Sequence, residues 1–263
     1  MATENSARVL TEMTWPEVQE ALLTAKLAII PLGAHEQHGP HMVESCDAVL
    51  AERMGRRLTE RLHPLALMTP TINMGVSSHH LHFPGTLSLE PSTLIAILRD
   101  MIRSLKPHGI RRFLVLNSHG GNQATLGVAA ETLGRELEVD FLYAKTTASA
   151  KDVMDREIAS KLYGHSCERE VSEALYLAPE LVRREKLEKG DIQEGRWRGL
   201  RPGQPIQGFY YYEEMTANGC IGDATRGSYE LGRELVETSL ERLTNAVLDL
   251  LREETASDSE RQK

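Results

Sequence analysis

The sequence predicts an α/β fold, a three-layer α/β/α sandwich built on a mostly parallel sheet, and three observations predict it. Short apolar runs at residues 27–32, 65–72, 112–117 and 139–144 alternate with longer segments whose apolar residues recur at helical spacing. The connections between runs are long enough for crossover helices and too long for hairpins, which points to βαβ units and a sheet covered on both faces. The runs ending at Leu32 and Asn117 each stop abruptly in polar, glycine-bearing sequence. In such sheets, ligands bind beyond the carboxyl ends of the strands.

Taken in order, Thr14-Trp15-Pro16-Glu17 opens a helix within residues 12–25, with Thr14 as N-cap and Pro16 in its first turn. The first strand follows, and residues 47–62 form a helix with Val49, Leu50, Met54 and Leu58 on one side, stopped by Pro64. After the strand over 65–72, residues 73–86 form a long loop with histidines at 79, 80 and 82, and loops of that length in a compact enzyme are functional or disordered. Pro91 starts a helix to Leu105 with Leu94, Leu98, Met101, Ile102 and Leu105 on one side. A strand over 112–117, a helix over 123–137, a strand over 139–144 and a helix over 150–162 complete the alternation. Residues 163–172 lead into a helix to about 177, broken by Pro179. Residues 183–215 carry charge, then Gly, Pro and Tyr, without a period, and with the turn residues to 225 they read as a surface excursion. A last helix spans 229–253 on Val236, Leu240, Leu243, Val247 and Leu250, and the polar tail 254–263 is expected to fray. The whole chain, 1–263, reads as one domain with its core at about 10–250.

With 38 acidic against 30 basic residues and no basic run, the chain is not expected to bind nucleic acid. No stretch is long and apolar enough to span a bilayer, and the N-terminus lacks the basic start and apolar segment of a secretory signal, so cytoplasmic residence is expected. Cys46, Cys167 and Cys220 have no metal-knuckle spacing and read as buried, reduced thiols.

The chemistry concentrates in four stretches. In Pro31-Leu32-Gly33-Ala34-His35-Glu36-Gln37-His38-Gly39-Pro40-His41, Glu36 and His38 point to one side if the chain stays extended, and Asp47 can join them from the next helix. One imidazole and two carboxylates suit zinc or manganese; the same residues also fit a polar turn with surface histidines. Asn117-Ser118-His119-Gly120-Gly121-Asn122 falls on the same sheet edge, and the N–H groups of Gly120 and Gly121 open a helix there, either as an anion cradle or as a tight turn. His80 and His82 are candidates to line a substrate pocket, while His35 and His41 read as structural. Around His165, Glu168 and Glu170 lie two apart, about 200° around a regular helix, so one site takes only one of them unless the helix begins between them.

In that order, residues 31–41 with Asp47, His82-Phe83-Pro84-Gly85-Thr86, residues 117–122, and His165 with Glu168, Glu170 and Ser172 resemble the creatininase (creatinine amidohydrolase) family over roughly residues 10–250. The resemblance implies a dinuclear site holding two divalent ions, zinc, manganese or iron, and a homo-oligomer, commonly a hexamer. It implies that Glu36 and His119 bind one metal, His38 the other, and that Asp47 bridges them. Creatininase has a glutamate where this chain has Gly121, so Glu168 is expected as the fifth ligand, with Glu170 as second choice. His165, or a free carboxylate such as Glu170, is expected to move the proton. The implied activity is hydrolysis of a C–N bond in a small amide or formamide, often cyclic in that family, by metal-activated water. The alternatives are ring opening of a cyclic ketone such as an inosose at a C–C bond, and a non-catalytic metal-binding protein. The tryptophans that close over creatinine have no counterpart, since Trp15 and Trp197 lie in other contexts, which argues against creatinine itself.

Overall fold

The computed structural model describes residues 7–261, with side chains to residue 252. After helix α1 (Trp15–Leu22), four parallel strands, β1 (Leu27–Leu32), β2 (Ala66–Met68), β3 (Arg112–Asn117) and β4 (Asp140–Lys145), lie in the order β2-β1-β3-β4. Register aligns Leu32 with Asn117 and Asn117 with Lys145, so three strands end level at one edge. Alternation along β1 sends Ala28, Ile30 and Leu32 to one face and Leu27 and Ile29 to the other. The first face packs under α3 (Pro91–Leu105) and α4 (Gln123–Leu137) through Leu94, Leu98, Ile102, Leu126 and Leu133. The second packs under α2 (Cys46–Arg61) and a long C-terminal helix through Met54, Leu58, Val236, Leu240 and Val247. That is the expected three-layer sandwich, and each of these fully buried aliphatic side chains contributes about 1.5–3 kcal/mol.

The departures from expectation have local causes. β2 stops at Met68 where 65–72 was expected: Thr69 N still donates to Ile29 O, but Pro70 follows without an N–H and only Ile72 returns to pair with Leu32. Pro31 is tolerated inside a central strand for the same reason. Residues 29, 31 and 33 bond toward β2, with Ile72 N donating to Pro31 O and Gly33 N to Ile72 O, and the missing N–H of Pro31 falls where β2 has ended. The helix expected over 150–162 is α5 (Lys151–Glu157) only. The residues after Ile158 turn away, and Ser160 N donates to Glu168 Oε1. Helix α6 (Glu168–Leu177) packs on α2 through Val171, Ala174 and Leu175. A single turn, α7 (Trp197–Leu200), lies in the 183–225 segment. The last helix, α8, runs Tyr229–Arg261, past the expected end at 253, since no Gly or Pro interrupts the polar residues that follow. Of the expected frayed tail, residues 262–263 lie outside the described residues. Past Val247 the apolar stripe of α8 continues through Leu248 and Leu251, which pack against the same core, while Leu250, expected on that face, is 44 % exposed.

Candidate metal centre

The level edge of β1 and β3 assembles the site. A Cβ at Gly33 would lie 2.3 Å from Ala48 N, so only glycine lets the first turn of α2 press against the end of β1 and deliver Asp47 there. Ser118 Oγ holds that turn by donating to Asp47 O at 2.6 Å. Asn117 donates from Nδ2 to His119 O and accepts from His119 N, while Asn122 Nδ2 donates to Gly33 O and Asn117 Oδ1. The polar residues after β3 are thus a bracket that fixes the His119 backbone.

Three imidazoles are tethered in the same manner. His38 Nδ1 donates to Glu36 O, His119 Nε2 to Val76 O, and His165 Nε2 to Gln37 O, at 3.1, 3.0 and 2.7 Å. Each tether sets the tautomer and aims the other ring nitrogen inward. His38 Nε2 lies 3.5 Å from Asp47 Oδ1, and His119 Nδ1 lies 3.3 Å from Asp47 Oδ2 and 3.2 Å from Glu36 Oε1. His165 Nδ1 is 3.5 Å from Glu36 Oε1, and His80 Nε2 is 3.4 Å from it. Donor atoms of Glu36, His38 and His165, and of Glu36, His79 and His119, form two groups with atoms within 4.8 Å of one another. Both oxygens of Glu36, Oδ2 of Asp47, Nε2 of His38 and Nε2 of His80 are buried without a hydrogen-bond partner. Burying a carboxylate with neither oxygen bonded is costly unless a cation is to be bound, so these donors fit a divalent metal.

Electrostatics point the same way. Burial opposes charge on His38, but Asp47 beside it, with Glu170 and Glu36 beyond, raises its pKa to about 9. His119 is likewise raised well above its ordinary value, against burial, by Glu36 and Asp47. Burial would raise the Glu36 and Asp47 carboxyls, but the imidazolium charges of His119 for Glu36, and of His38 and His119 for Asp47, hold both below their usual range. His165 and His79 are pushed down to about 3 and about 4, chiefly by burial, and His80 falls well below its usual value. The cluster therefore separates into charged ligand-type histidines and neutral ones around them.

The glutamates of α6 separate as the helical angle requires. Glu168 turns away: its two oxygens accept from Ser160 N and Asp223 N, at 3.2 and 2.9 Å, and tie two loops to the helix start. The structure does not bring Glu168, expected as the fifth ligand, to the donor cluster. Glu170 lines the cavity instead, its carboxylate accepting from Ser166 N and Arg169 Nη2. Its pKa is raised by burial, with Arg169 and His38 pulling the other way. Ser166 adopts a left-handed conformation (φ 50°), a strained geometry for a non-glycine, and donates from Oγ to His38 O.

The cavity, about 500 Å³, is lined by Glu36, Asp47, His79, His80, His119, Gly120, Gly121, His165 and Glu170. Gly121 leaves no room for a side chain, since a Cβ there would lie 2.3 Å from Val76 O and 2.4 Å from His119 Nε2. His80 is buried in the wall and accepts at Nδ1 from Gln37 Nε2 at 3.0 Å. His82 is not brought to the cavity. Ser78–His80 forms a helical turn, so two residues on His82 faces solvent, paired with Glu213 and stacked on Tyr211 at 4.0 Å. His35 pairs with Glu44, and His41 donates to Ser166 O.

Several contributors went unread in the sequence. Pro202, Gly208, Phe209, Tyr210 and Tyr212 line the cavity, so the segment read as a surface excursion closes over the site. The Tyr212 ring lies 4.0 Å from that of His80 and 5.5 Å from that of His165. Trp197 stays fully buried beneath, donating from Nε1 to Gln193 O. Lys145, at the end of β4, also lines the cavity. It stands at the strand-end position that singled out Glu36 and His119, and the same logic applied to the fourth strand would have found it.

A parallel α/β sheet with buried imidazoles and carboxylates gathered at its strand ends defines a metal-site protein of the hydrolase type. The family model described as creatininase, creatinine amidohydrolase, matches residues 11–247. The chain belongs to the creatininase family of hydrolases. It is 35 % identical to a creatinine amidohydrolase of Pseudomonas putida over 132 residues, a match spanning 48 % of this chain and half of that protein. It is 31 % identical to a mycofactocin precursor peptide peptidase of Mycobacterium tuberculosis over 81 % of this chain and 80 % of that one. To a 3-dehydro-scyllo-inosose hydrolase of Thermotoga maritima it is 27 % identical over 91 % of this chain and 82 % of that one. A creatininase crystal structure superposes with a TM-score of 0.79 at 28 % identity, covering 92 % of this chain and 96 % of that one. A manganese form covers 92 % of this chain and 98 % of its own, with a TM-score of 0.77 at 26 % identity. A Zn–Zn form of a glutamate-to-glutamine creatininase variant covers 92 % and 97 %, with a TM-score of 0.78 at 27 % identity. No helix among the described residues is long and apolar enough to cross a membrane.

Proposed function

We propose that this chain is a dinuclear metal-dependent hydrolase of a small cyclic amide or formamide, cleaving a C–N bond. The observation that carries the reading is the set of tethered imidazoles aiming free nitrogens at the unpartnered oxygens of Glu36 and Asp47. Glu36 and His119 would hold one ion and His38 and Glu170 the other. Asp47, whose two oxygens face different histidines, would contribute to holding both. Zinc or manganese fits this mixed nitrogen and oxygen set, and two such ions would supply an activated water near neutral pH and polarise the carbonyl under attack.

The chain's own groups do the rest. His165, locked by its Nε2–H on Gln37 O, presents the Nδ1 lone pair to the cavity and can accept a proton there and return it to the leaving nitrogen. Gly120 lines the cavity with backbone exposed to it, since a Cβ there would meet nothing within 4 Å. The N–H groups of Gly120 and Gly121 open a helical turn without intrahelical acceptors and can receive developing negative charge. Tyr212 and His80 form the wall a flat ring would lie against, and the expected contact from His82 is replaced by this pair. Trp197 does not reach the cavity, which argues against creatinine. The likeness to the inosose hydrolase over 91 % of the chain supports a second reading, ring opening of a cyclic ketone at the same donors. A homo-oligomer, hexameric in form, belongs to the same proposal.

Metal analysis of the purified protein with hydrolysis assays on cyclic amides, formamides and cyclic ketones tests both. About two ions per chain with C–N cleavage supports the first reading, and turnover of ketones alone supports the second. Two bound ions without turnover of any class would leave a metal-binding protein and overturn both.

A further inference from the structure

Beside the metal centre lies a second pocket of about 240 Å³ that shares Ser118, Gly120, Lys145, Gly164 and Glu170 with the main cavity, so these residues form a wall common to both. Its remaining wall is largely hydroxyl-bearing and small: Thr146, Thr147 and Ala148 with Met154. Two cations reach it. Arg169 is consumed, donating to Glu170 and Glu173 at 2.6 and 2.9 Å. Lys145 is not, since no carboxylate oxygen lies within 4 Å of its ammonium among the described residues. The nearby acids are all engaged elsewhere. Glu173 accepts from Thr147 and Arg169, Glu170 from Ser166 and Arg169, and Glu36 and Asp47 belong to the donor cluster.

Lys145 is an exposed lysine on the common wall of two cavities, and in a chain with eight more acids than bases it pairs with none of them among the described residues. Resting on the hydrolase reading, we infer that the substrate carries a carboxylate, held by Lys145 in the side pocket while its reacting carbonyl lies against the Glu36, His38, Asp47 and His119 donors. One ammonium, with hydroxyls and the open Gly120 backbone around it, suits a monoanion. A phosphate dianion would call for a second free cation, and Arg169 is already committed. Lys145 is a specificity-determining residue in this scheme and takes no part in bond cleavage.

The test uses matched pairs that differ only in the acid: L-dihydroorotate against dihydrouracil, and N-formylglycine against N-formylglycinamide. Binding to the metal-loaded protein is read by calorimetry, independent of turnover, for wild type, Lys145→Gln and Lys145→Arg, with metal content measured on each. The wild type is expected to bind the carboxylate member of a pair at least tenfold tighter than its neutral partner. Lys145→Gln should lose that preference while binding the neutral member unchanged, and Lys145→Arg should keep it. A wild type that does not discriminate, or a Lys145→Gln that still does, overturns the assignment; the second result would trace the preference to the donor cluster. Absence of metal from all three proteins would refute the hydrolase reading, and the same acid-against-neutral comparison on the metal-free wild type and Lys145→Gln then decides the Lys145 assignment separately.

Discussion

Loading the site with metal should expel about two protons per chain at pH 7. In the metal-free protein His38, with its pKa raised to about 9, is about 99 % imidazolium at that pH, and His119 is raised well above its ordinary value by Glu36 and Asp47. Coordination requires the lone pairs on His38 Nε2 and His119 Nδ1, the atoms that carry those protons, while the tethering N–H groups stay on Glu36 O and Val76 O. Apparent affinity should therefore rise about 100-fold per pH unit between pH 6.5 and 8, and the dependence should weaken above pH 9, where His38 deprotonates unaided. The assay is calorimetry of metal addition in buffers of differing ionisation enthalpy, whose slope counts released protons. A slope near zero at pH 7 would refute the reasoning, because it would mean neither imidazole is charged between Glu36 and Asp47. A linked consequence follows for stability. The folded pKa of His38 lies above its unfolded value, so its contribution is complete below about pH 6.5 and is lost as pH rises through 9. That is about 3 kcal/mol in the metal-free chain, confined to this fully buried group. The opposite slope comes from His165, depressed to about 3, which costs stability as pH falls below 6.5.

Glu170→Gln should lose about one metal equivalent and at least 100-fold in activity, whereas Glu168→Gln should keep both ions; metal content on the two variants decides between them. Glu168→Ala, which strips the acceptors from Ser160 N and Asp223 N, should cost about 2–3 kcal/mol in urea unfolding. Gly121→Ala, with its Cβ driven into Val76 O and His119 Nε2, should destabilise by about 1–3 kcal/mol and weaken metal binding; unchanged melting and metal content would contradict the close approach. Tyr212→Phe should leave metal content intact and Tyr212→Ala should raise KM at least tenfold, since the ring rather than the hydroxyl makes the contacts with His80 and His165.

How legible the site was in sequence depended on whether a residue's direction followed from its own element. Glu36, His38 and His119 could be placed together because they follow closely on the ends of β1 and β3, which lie level at one edge of the parallel sheet. The angle between Glu168 and Glu170 was readable too, but its phase was not. Which carboxylate faced the metal edge depended on where α6 began and on loops at Ser160 and Asp223 that claim Glu168, and those loops have no periodic signal. His82 failed for the same reason: a single helical turn at Ser78–His80 reversed the alternation an extended loop would have had.

The 183–225 segment shows why the metal edge and the pocket wall differ in readability. Its cavity-lining residues, Tyr210 and Tyr212 among them, lie outside any strand and are held by contacts distant in sequence. His82 reaches across to Glu213 and Tyr211, Gln37 Nε2 donates to Gly219 O, and Trp197 packs beneath Tyr210. The donor cluster needs only β1, β3, α2 and the start of α6, so a change in the segment can reshape the pocket without moving a ligand. Gln37 is the exception, because it sits between Glu36 and His38, tethers His165 through its carbonyl, and bonds both His80 and Gly219 through its amide. Displacing the segment would free Gln37 Nε2 and release His80 before it disturbed His38 or His119. Substrate preference should thus vary with residues 202–219 while metal affinity stays constant, with Gln37 as the residue where the two become coupled.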